Sequence, residues 1–315
     1  MSAPPPPPRP SLRIFGNYEI LSKLGSGGMA EVYRARVLSG PRAGWTVALK
    51  RLHPSLTGDA DTVVRFLGEA DLTQALAHPN IVRVLEVGAL NGQYFIVMEL
   101  VDGRDLGQLL RRCKARGIPL PVDFGVYLAK VLLEALDFAH SARGSAGQPL
   151  GIVHCDVSPS NVFISRLGEI KLGDFGVARV RVGSALSGAE VLGKPYYLSP
   201  EALEGEVGPQ LDLWAATVVL YELLTLERPF TGAGPEAVFA AIRARAYTPV
   251  RALRPELPEA LEAVIARGFA ARVEERFPSA AAYAEALTPH FDERVGTPLA
   301  IAALVRGLFG ASEEA

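Results

Sequence analysis

Cysteine is scarce in this chain: Cys113 and Cys155 are the only two in 315 residues. So sparse a pair excludes a disulfide framework and fits a reducing cytosol. An excess of charge of one sign is also missing. With 32 Lys and Arg against 34 Asp and Glu, the formal net charge is −2, which leaves neither a basic surface for nucleic acid nor an acidic tail. The 5 His residues show no His-x-x-x-His spacing, so no zinc-type ligand pair is visible. No apolar run is long enough to span a bilayer. The longest one near the C-terminus, Pro298 to Phe309, is too short and contains Arg306. The start of the chain lacks the apolar stretch of a signal peptide. These absences predict a cytoplasmic protein that has neither membrane nor nucleic acid as a partner.

The composition that remains, 49% hydrophobic and 21% charged, is that of a soluble globular protein. The length suffices for one large domain or two lobes with substantial cores. Met1 to Pro10 is mostly proline. Residues 1–17 therefore read as a disordered, polyproline-like leader, either a plain spacer or a docking site for a proline-binding regulatory partner.

Further along, Tyr18 to Leu24 and Glu31 to Val37 read as strands around a glycine-rich turn, and Trp45 to Lys50 as a third strand. Asp61 to Ala77 is helical in pattern, and Ile81 to Gly88 and Gln93 to Leu100 are two more strands. After Asp102-Gly103 the character changes. Phe124 to Ser141 is a long helix, and Ser141 to Leu150, rich in Gly and Ser, a loop. Val162 to Ser165 and Ile170 to Leu172 form a hairpin around Gly168. Leu211 to Leu224 is so apolar that it should be buried. Pro235 to Arg245, Pro258 to Phe269 and Ala280 to Leu287 are further helices. Pro298 to Phe309 carries Ile301, Leu304, Val305 and Leu308 at i, i+3, i+4, i+7. That amphipathic helix either packs on its own domain or takes a regulatory partner. A sheet-rich part followed by a helix-rich part is α+β organisation, with a hinge expected near Met98 to Gly103.

Two runs carry the chemistry. His154-Cys155-Asp156-Val157-Ser158-Pro159-Ser160-Asn161 sets a carboxylate 5 positions before an amide, and Asp174-Phe175-Gly176 sets another carboxylate 18 positions after the first. That arrangement suits phosphoryl transfer: one Asp orients an attacking hydroxyl while the Asn and the second Asp hold Mg²⁺ on phosphates. Gly25-Ser26-Gly27-Gly28-Met29-Ala30 fits G-x-G-x-x-A, a pattern shared with dinucleotide-binding turns. Those need a helix directly afterwards, and Glu31 to Val37 reads as a strand, so a flap over phosphates is the better reading. Val47-Ala48-Leu49-Lys50 ends a strand on a lysine, with Glu69 on the following helix as its natural partner.

With His78-Pro79-Asn80, Met98-Glu99, Ser199-Pro200-Glu201, Asp212 and Arg276 added, the chain resembles a eukaryotic-type (Hanks-type) protein serine/threonine kinase over roughly Tyr18 to Leu287. Gly-Gly-Met-Ala-Glu-Val-Tyr and Val-Ser-Pro-Ser-Asn resemble bacterial members of that family. The resemblance implies a two-lobed protein-kinase fold over residues 18–290, with an N-lobe at 18–99 and a C-lobe at 100–290, and 291–315 as the terminal helix and tail. It implies ATP and Mg²⁺ (or Mn²⁺) as cofactors, with transfer of the γ-phosphoryl group to Ser/Thr hydroxyls of protein substrates in intracellular signalling. Lys50 would contact the phosphates and Glu69 would hold it. Asp156 would orient the hydroxyl, and Asn161 and Asp174 would bind the metal. Gly25, Ser26, Gly27 and Gly28 would cover the phosphates. Val32, Ala48 and Phe163 would sandwich the adenine, with Met98 as gatekeeper, the backbone of Glu99 and Val101 on its edge and Asp105 on the ribose. Glu201 and Arg276 would form a buried ion pair, and Asp212 would brace the catalytic loop.

Several positions depart from that family's pattern. Cys155 stands where an Arg usually pairs with a phosphate on the activation segment, so activity is expected not to depend on modification of Ser184 or Ser187. Ser158 stands where a Lys usually points to the γ-phosphate, and Lys194 where a Thr is usual. Lys194 is therefore a candidate to supply the charge that Ser158 cannot, and its alternative is a solvent-facing side chain. Ser160 replaces an acidic residue that often selects basic substrates. Two rival readings are a pseudokinase scaffold, suggested by Cys155 and Ser158, and a small-molecule kinase, disfavoured by Gly193 to Glu201, Asp212 and Arg276.

Overall fold

The structure, a computed structural model, describes residues 13–74, 76–175, 179–180 and 194–310. Gly176, Ser184, Ser187 and Gly193 lie outside the described residues, and so does the side chain of Glu69. The chain divides into two compact units. One takes the chain up to Asp71 together with Arg83–Leu100, and the other takes Leu72–Val82 and everything from Val101 onward. The main passage between them, Leu100 to Val101, falls within the stretch read as a hinge. The excursion of Leu72–Val82 into the second unit was not visible in the sequence.

In the first unit six strands form an antiparallel sheet. They are β1 (Arg13–Phe15), β2 (Tyr18–Ser26), β3 (Ala30–Val37), β4 (Thr46–Leu52), β5 (Val84–Leu90) and β6 (Gln93–Glu99), in the order β1-β2-β3-β4-β6-β5. The expectation of a disordered leader through residue 17 is corrected at β1. Arg13–Phe15 pairs with Tyr18–Ile20, because a turn at Gly16, whose φ is +55°, folds the strand back. The Phe15 ring then meets Phe95 edge-on at 5.5 Å. The next correction concerns β5, which starts at Val84; Ile81 makes only a lone bridge to Leu172.

The two-residue period of a strand sends Val47 and Leu49 of β4 to one apolar cluster, with Tyr18, Phe95 and Val97. Leu52 and Ile96 go to the opposite face, where α1 (Ala60–Gln74) packs Val63, Phe66 and Ala70. Lys50 has the parity of Leu52, so it lies on the face that α1 covers.

The second unit is mostly helical: α2 (Leu106–Arg116), α3 (Val122–His140), α4 (Pro200–Leu203), α5 (Pro209–Thr225), α6 (Pro235–Ala244), α7 (Val250–Leu253), α8 (Glu259–Gly268), α9 (Ala280–Leu287) and α10 (Pro298–Phe309). Short strands β7 (Gly103–Asp105), β9 (Val162–Ser165) and β10 (Ile170–Leu172) form a sheet in the order β10-β9-β7, and β8 (Ile152–Val153) lies in the chain between α3 and β9. Helix α5 buries nearly every side chain, as an all-round apolar helix must. Its Trp214 stacks on Phe230 at 5.5 Å.

Helix α10 packs on its own unit. Ile301, Val305 and Leu308 join the main core, and Arg112 Nε donates to the Leu308 carbonyl at 3.2 Å. Gly168, at φ +85°, turns the β9–β10 hairpin so closely under α10 that a Cβ there would lie 1.9 Å from the Pro298 carbonyl oxygen. Of the two readings of α10, this covered apolar face supports packing on its own unit.

Candidate active site

The loop from His154 to Asn161 leaves β8 and enters β9 through a tight turn, Pro159–Asn161. A loop cannot hold its own backbone, so something must accept its N–H groups. Asp212, one turn into α5 and 1% exposed, does this. Its Oδ2 accepts from His154 N at 2.8 Å and its Oδ1 from Cys155 N at 2.9 Å. His140 Nε2, at the end of α3, donates to Oδ2 at 2.8 Å. The fully buried His154 ring ties the loop to the next segment. Its Nδ1 accepts from Asp156 N at 3.2 Å, so Nε2 carries the proton toward the Gly173 carbonyl, also at 3.2 Å.

These bonds hold two non-glycine residues in the left-handed region, Cys155 at φ +61° and Asp174 at φ +60°. Such a conformation costs on the order of 1–2 kcal/mol each, and it aims the neighbouring carboxylates. The Cys155 side chain packs with Val153, Ala202 and Leu211, so the position of the usual Arg is part of a small apolar cluster.

Asp156 and Asn161 are joined directly. Asn161 Nδ2 donates to the Asp156 carbonyl at 2.8 Å and to Asp156 Oδ2 at 2.9 Å. Both N–H positions of the Asn161 amide are thus used on Asp156, while its oxygen accepts from Ser160 Oγ at 3.4 Å and Lys194 Nζ at 3.3 Å. Gly173 N donates to the Asn161 carbonyl at 2.8 Å, which brings Asp174 beside Asn161. A Cβ at Gly173 would sit 2.9 Å from both Phe163 and Val82, so only glycine lets the strand approach this closely. Asn161 and Asp174 then offer an amide oxygen and an exposed carboxylate as neighbouring hard donors. That donor set fits Mg²⁺, which takes one or two protein oxygens and leaves its other positions to water and phosphate.

Lys194 reaches the same place from 38 positions downstream. Its Nζ lies 2.9 Å from Asp156 Oδ2, 2.8 Å from Ser158 Oγ and 3.3 Å from Asn161 Oδ1. The solvent-facing alternative for this residue does not hold. Beside the loop runs a groove of about 470 Å³ whose lining includes Ser158, Ser160, Lys194, Tyr197, Glu222 and Arg228. Tyr197 donates its hydroxyl to buried Glu222 at 2.7 Å. Burial, followed by the Glu222 carboxylate, holds the Tyr197 phenol well above its ordinary range, and burial raises the Glu222 carboxyl despite the Tyr197 hydrogen bond. Tyr197, Glu222 and His140 were not singled out from the sequence. Their partners lie 25 positions away or more, and no local spacing signals them.

Behind the loop, Glu201 and Arg276 form the expected ion pair, bidentate at 2.6 and 2.9 Å. Arg276 Nε donates to the Ala270 carbonyl at 2.9 Å, and its guanidinium lies over Trp214.

In the first unit the glycine turn joins two strands, β2 and β3, and not a strand and a helix, which removes the dinucleotide reading. Gly27 N bonds the Ala30 carbonyl at 2.8 Å, and added Cβ atoms at Gly25 and Gly28 would meet nothing within 4 Å. Lys50 is 6% exposed and pairs across the sheet with Val32, while Ala48 pairs with Met98. Glu99 N bonds the Arg83 carbonyl at 2.9 Å. Val101, Asp105 and Phe163 belong to the second unit, where Asp105 and Phe163 face each other across β7 and β9. Asp105 Oδ1 caps α2 by accepting from Gln108 N at 2.8 Å.

A family model described as protein kinase domain matches residues 18–283. The chain belongs to the protein kinase family. It is 40% identical to the tyrosine-protein kinase MasK of Myxococcus xanthus over 96% of this chain and 47% of that protein. It is 35% identical to the probable serine/threonine-protein kinase PknB of Lactococcus lactis over 84% of this chain and 40% of that protein. The solved kinase domain of Mycobacterium tuberculosis PknI matches with a TM-score of 0.67 and 28% identity, over 90% of this chain and 99% of that one. The fold is thus the two-lobed, α+β protein-kinase fold of the bacterial Hanks-type enzymes, which use ATP and a divalent cation. The chain spans less than half the length of the curated relatives it matches. Among the described residues no helix is long and apolar enough to cross a membrane.

Proposed function

We propose that this kinase transfers the γ-phosphoryl group of Mg-ATP to Ser or Thr hydroxyls of intracellular protein substrates. The observation that carries the reading is the joined set Asp156, Asn161 and Asp174, in which Asn161 Nδ2 donates to the Asp156 carboxylate at 2.9 Å and to its backbone carbonyl at 2.8 Å. That carboxylate is 27% exposed, open to an incoming hydroxyl whose proton it can accept. Asn161 and Asp174 would hold the metal, which when bound neutralises charge developing on the phosphoryl oxygens. Lys50, 6% exposed, is supported as the phosphate-holding lysine by its burial on the face covered by the helix that carries Glu69. Val32, Ala48 and Met98, on the neighbouring strands β3, β4 and β6, would cover the adenine. Manganese could replace magnesium, since the same two oxygen donors suit it. Two free cysteines support a cytoplasmic location.

The relatives divide on the acceptor, one being named a tyrosine kinase and another a serine/threonine kinase. The test is transfer from γ-labelled ATP with Mg²⁺ to a generic protein acceptor, followed by phosphoamino-acid analysis. Asp156→Asn should cut turnover by about 10²–10⁴-fold while leaving the melting temperature near wild type. Phosphotyrosine alone in the product would overturn the Ser/Thr assignment. A scaffold that holds ATP without turnover is the second reading, raised by Cys155 and Ser158. Nucleotide binding with equal, background transfer in wild type and Asp156→Asn would favour it.

A further inference from the structure

We infer that Ser158 and Lys194 have exchanged the amine and hydroxyl of the catalytic site, so that the cation beside Asp156 is delivered from across the groove and not from the catalytic loop. The inference rests on the kinase reading and deepens it. The usual family pattern has the lysine at 158 and the threonine at 194. Here the hydroxyl is on the loop and the amine on the returning segment, yet they still meet at 2.8 Å.

The geometry argues for replacement over coincidence. An ammonium has three N–H donors, and Lys194 Nζ has three acceptors: Asp156 Oδ2, Ser158 Oγ and Asn161 Oδ1, at 2.9, 2.8 and 3.3 Å. Each belongs to the loop that performs the chemistry. Ser158 is 1% exposed, so its hydroxyl is a fixed acceptor with no competing water. Salt bridges between surface side chains are worth little, because both ends are mobile. This one is built differently. Lys194 stands at the cap of the Pro195–Tyr197 turn, and three residues later in that turn Tyr197 is locked to buried Glu222 at 2.7 Å. The amine is thus held from two directions, by its acceptors and by the anchored turn behind it.

One consequence distinguishes this enzyme from the usual pattern. The positive charge is no longer an intrinsic part of the catalytic loop. It is present only while residues 194–197 are docked, which makes the Tyr197–Glu222 bond a positioning device for Lys194.

The test compares four forms of this 315-residue chain: wild type, Ser158→Lys, Lys194→Thr and the reciprocal double variant. Each single change should lower kcat by roughly 10²-fold, one by removing the cation and the other by crowding two ammonium groups. The double variant restores one amine and one hydroxyl and should return to within about tenfold of wild type. Lys194→Thr with wild-type turnover, or a double variant no better than the worse single one, would overturn the inference. Melting of the four proteins without nucleotide supplies a readout independent of activity. There the two changes should be non-additive by about 2 °C or more, because the Nζ–Oγ contact needs no ligand; additive shifts would also overturn it. If wild type itself transfers no phosphate, the kinase reading fails while the melting cycle still judges the exchange.

Discussion

The catalytic loop is bonded on two sides, and the two sides follow different rules. Behind it lies a brace of buried charges: Asp212 under the loop backbone, and Arg276 on Glu201 at 2.6 and 2.9 Å. In front lies a rim where Lys194 meets Asp156 at 2.9 Å with side chains 30% and 27% exposed. Both sides are charge-assisted hydrogen bonds of similar length. In the brace, an unpaired charge has no water to turn to, so each partner is fixed in type and in place. At the rim, water can cover a missing partner. An amine and a hydroxyl can there stand on either side of the contact, as inferred for Lys194 and Ser158. The family's sequence pattern holds at Glu201, Asp212 and Arg276, and it breaks at Ser158 and Lys194.

The comparison breaks if the brace proves dispensable. Arg276→Ala should be the largest stability effect, about 3–5 kcal/mol, because it strands Glu201 and also removes the bond to the Ala270 carbonyl and the contact with Trp214. Thermal or denaturant unfolding measures it. A change below about 1 kcal/mol would place this pair with ordinary surface bridges. Asp212→Asn sharpens the comparison, since it touches brace and loop together. An amide keeps one acceptor and turns an NH₂ group toward a backbone N–H or the His140 ring, at a cost of about 1–3 kcal/mol. Because the displaced N–H groups belong to His154 and Cys155, turnover should fall along with the melting temperature. Stability lost at full turnover would show that Asp212 holds the core and not the loop.

Much of this arrangement could be read in the sequence, and the limits have physical causes. Helices α9 and α10 were legible to the residue, because strong apolar periodicity and flanking Ser or Pro mark their ends. Helix α2 was missed, although Leu106, Leu109, Leu110 and Cys113 follow its buried face, Asp105 caps its start and Gly117 ends it at φ +64°. A glycine-led strand directly before it hid the change of period. Near the proposed site, the closeness of Asp156 and Asn161 was legible because their spacing is local. Lys194 stood out as a departure, but its acceptors lie 33 to 38 positions back. Only the fold brings that segment to the loop. The Tyr197–Glu222 bond had no signal at all, since burial gives it meaning and neither residue departs from an ordinary pattern.

In burial, His78 stands between the two sides, a half-buried group whose behaviour should be intermediate. Its ring packs on Phe138 at 4.9 Å, and its Nδ1 accepts from Asn80 N at 3.2 Å. Asn80 in turn donates from Nδ2 to the Ile170 carbonyl at 2.8 Å and accepts from Leu172 N at 2.8 Å, so the imidazole supports the β10 edge of the site. Burial holds the His78 pKa below its ordinary value, with Lys171 acting in the same direction and Glu134 opposing. A His whose folded value is depressed favours folding while it stays neutral. That contribution is complete above the unfolded value of about 6.5 and is lost as pH falls through the lower folded value. The fall in melting temperature on acidification below about pH 6.5 should therefore be shallower in His78→Gln than in wild type, by a degree or two. Equal slopes in the two proteins would mean that the ring titrates as freely as a surface histidine and that the Asn80 bond does not depend on its charge state.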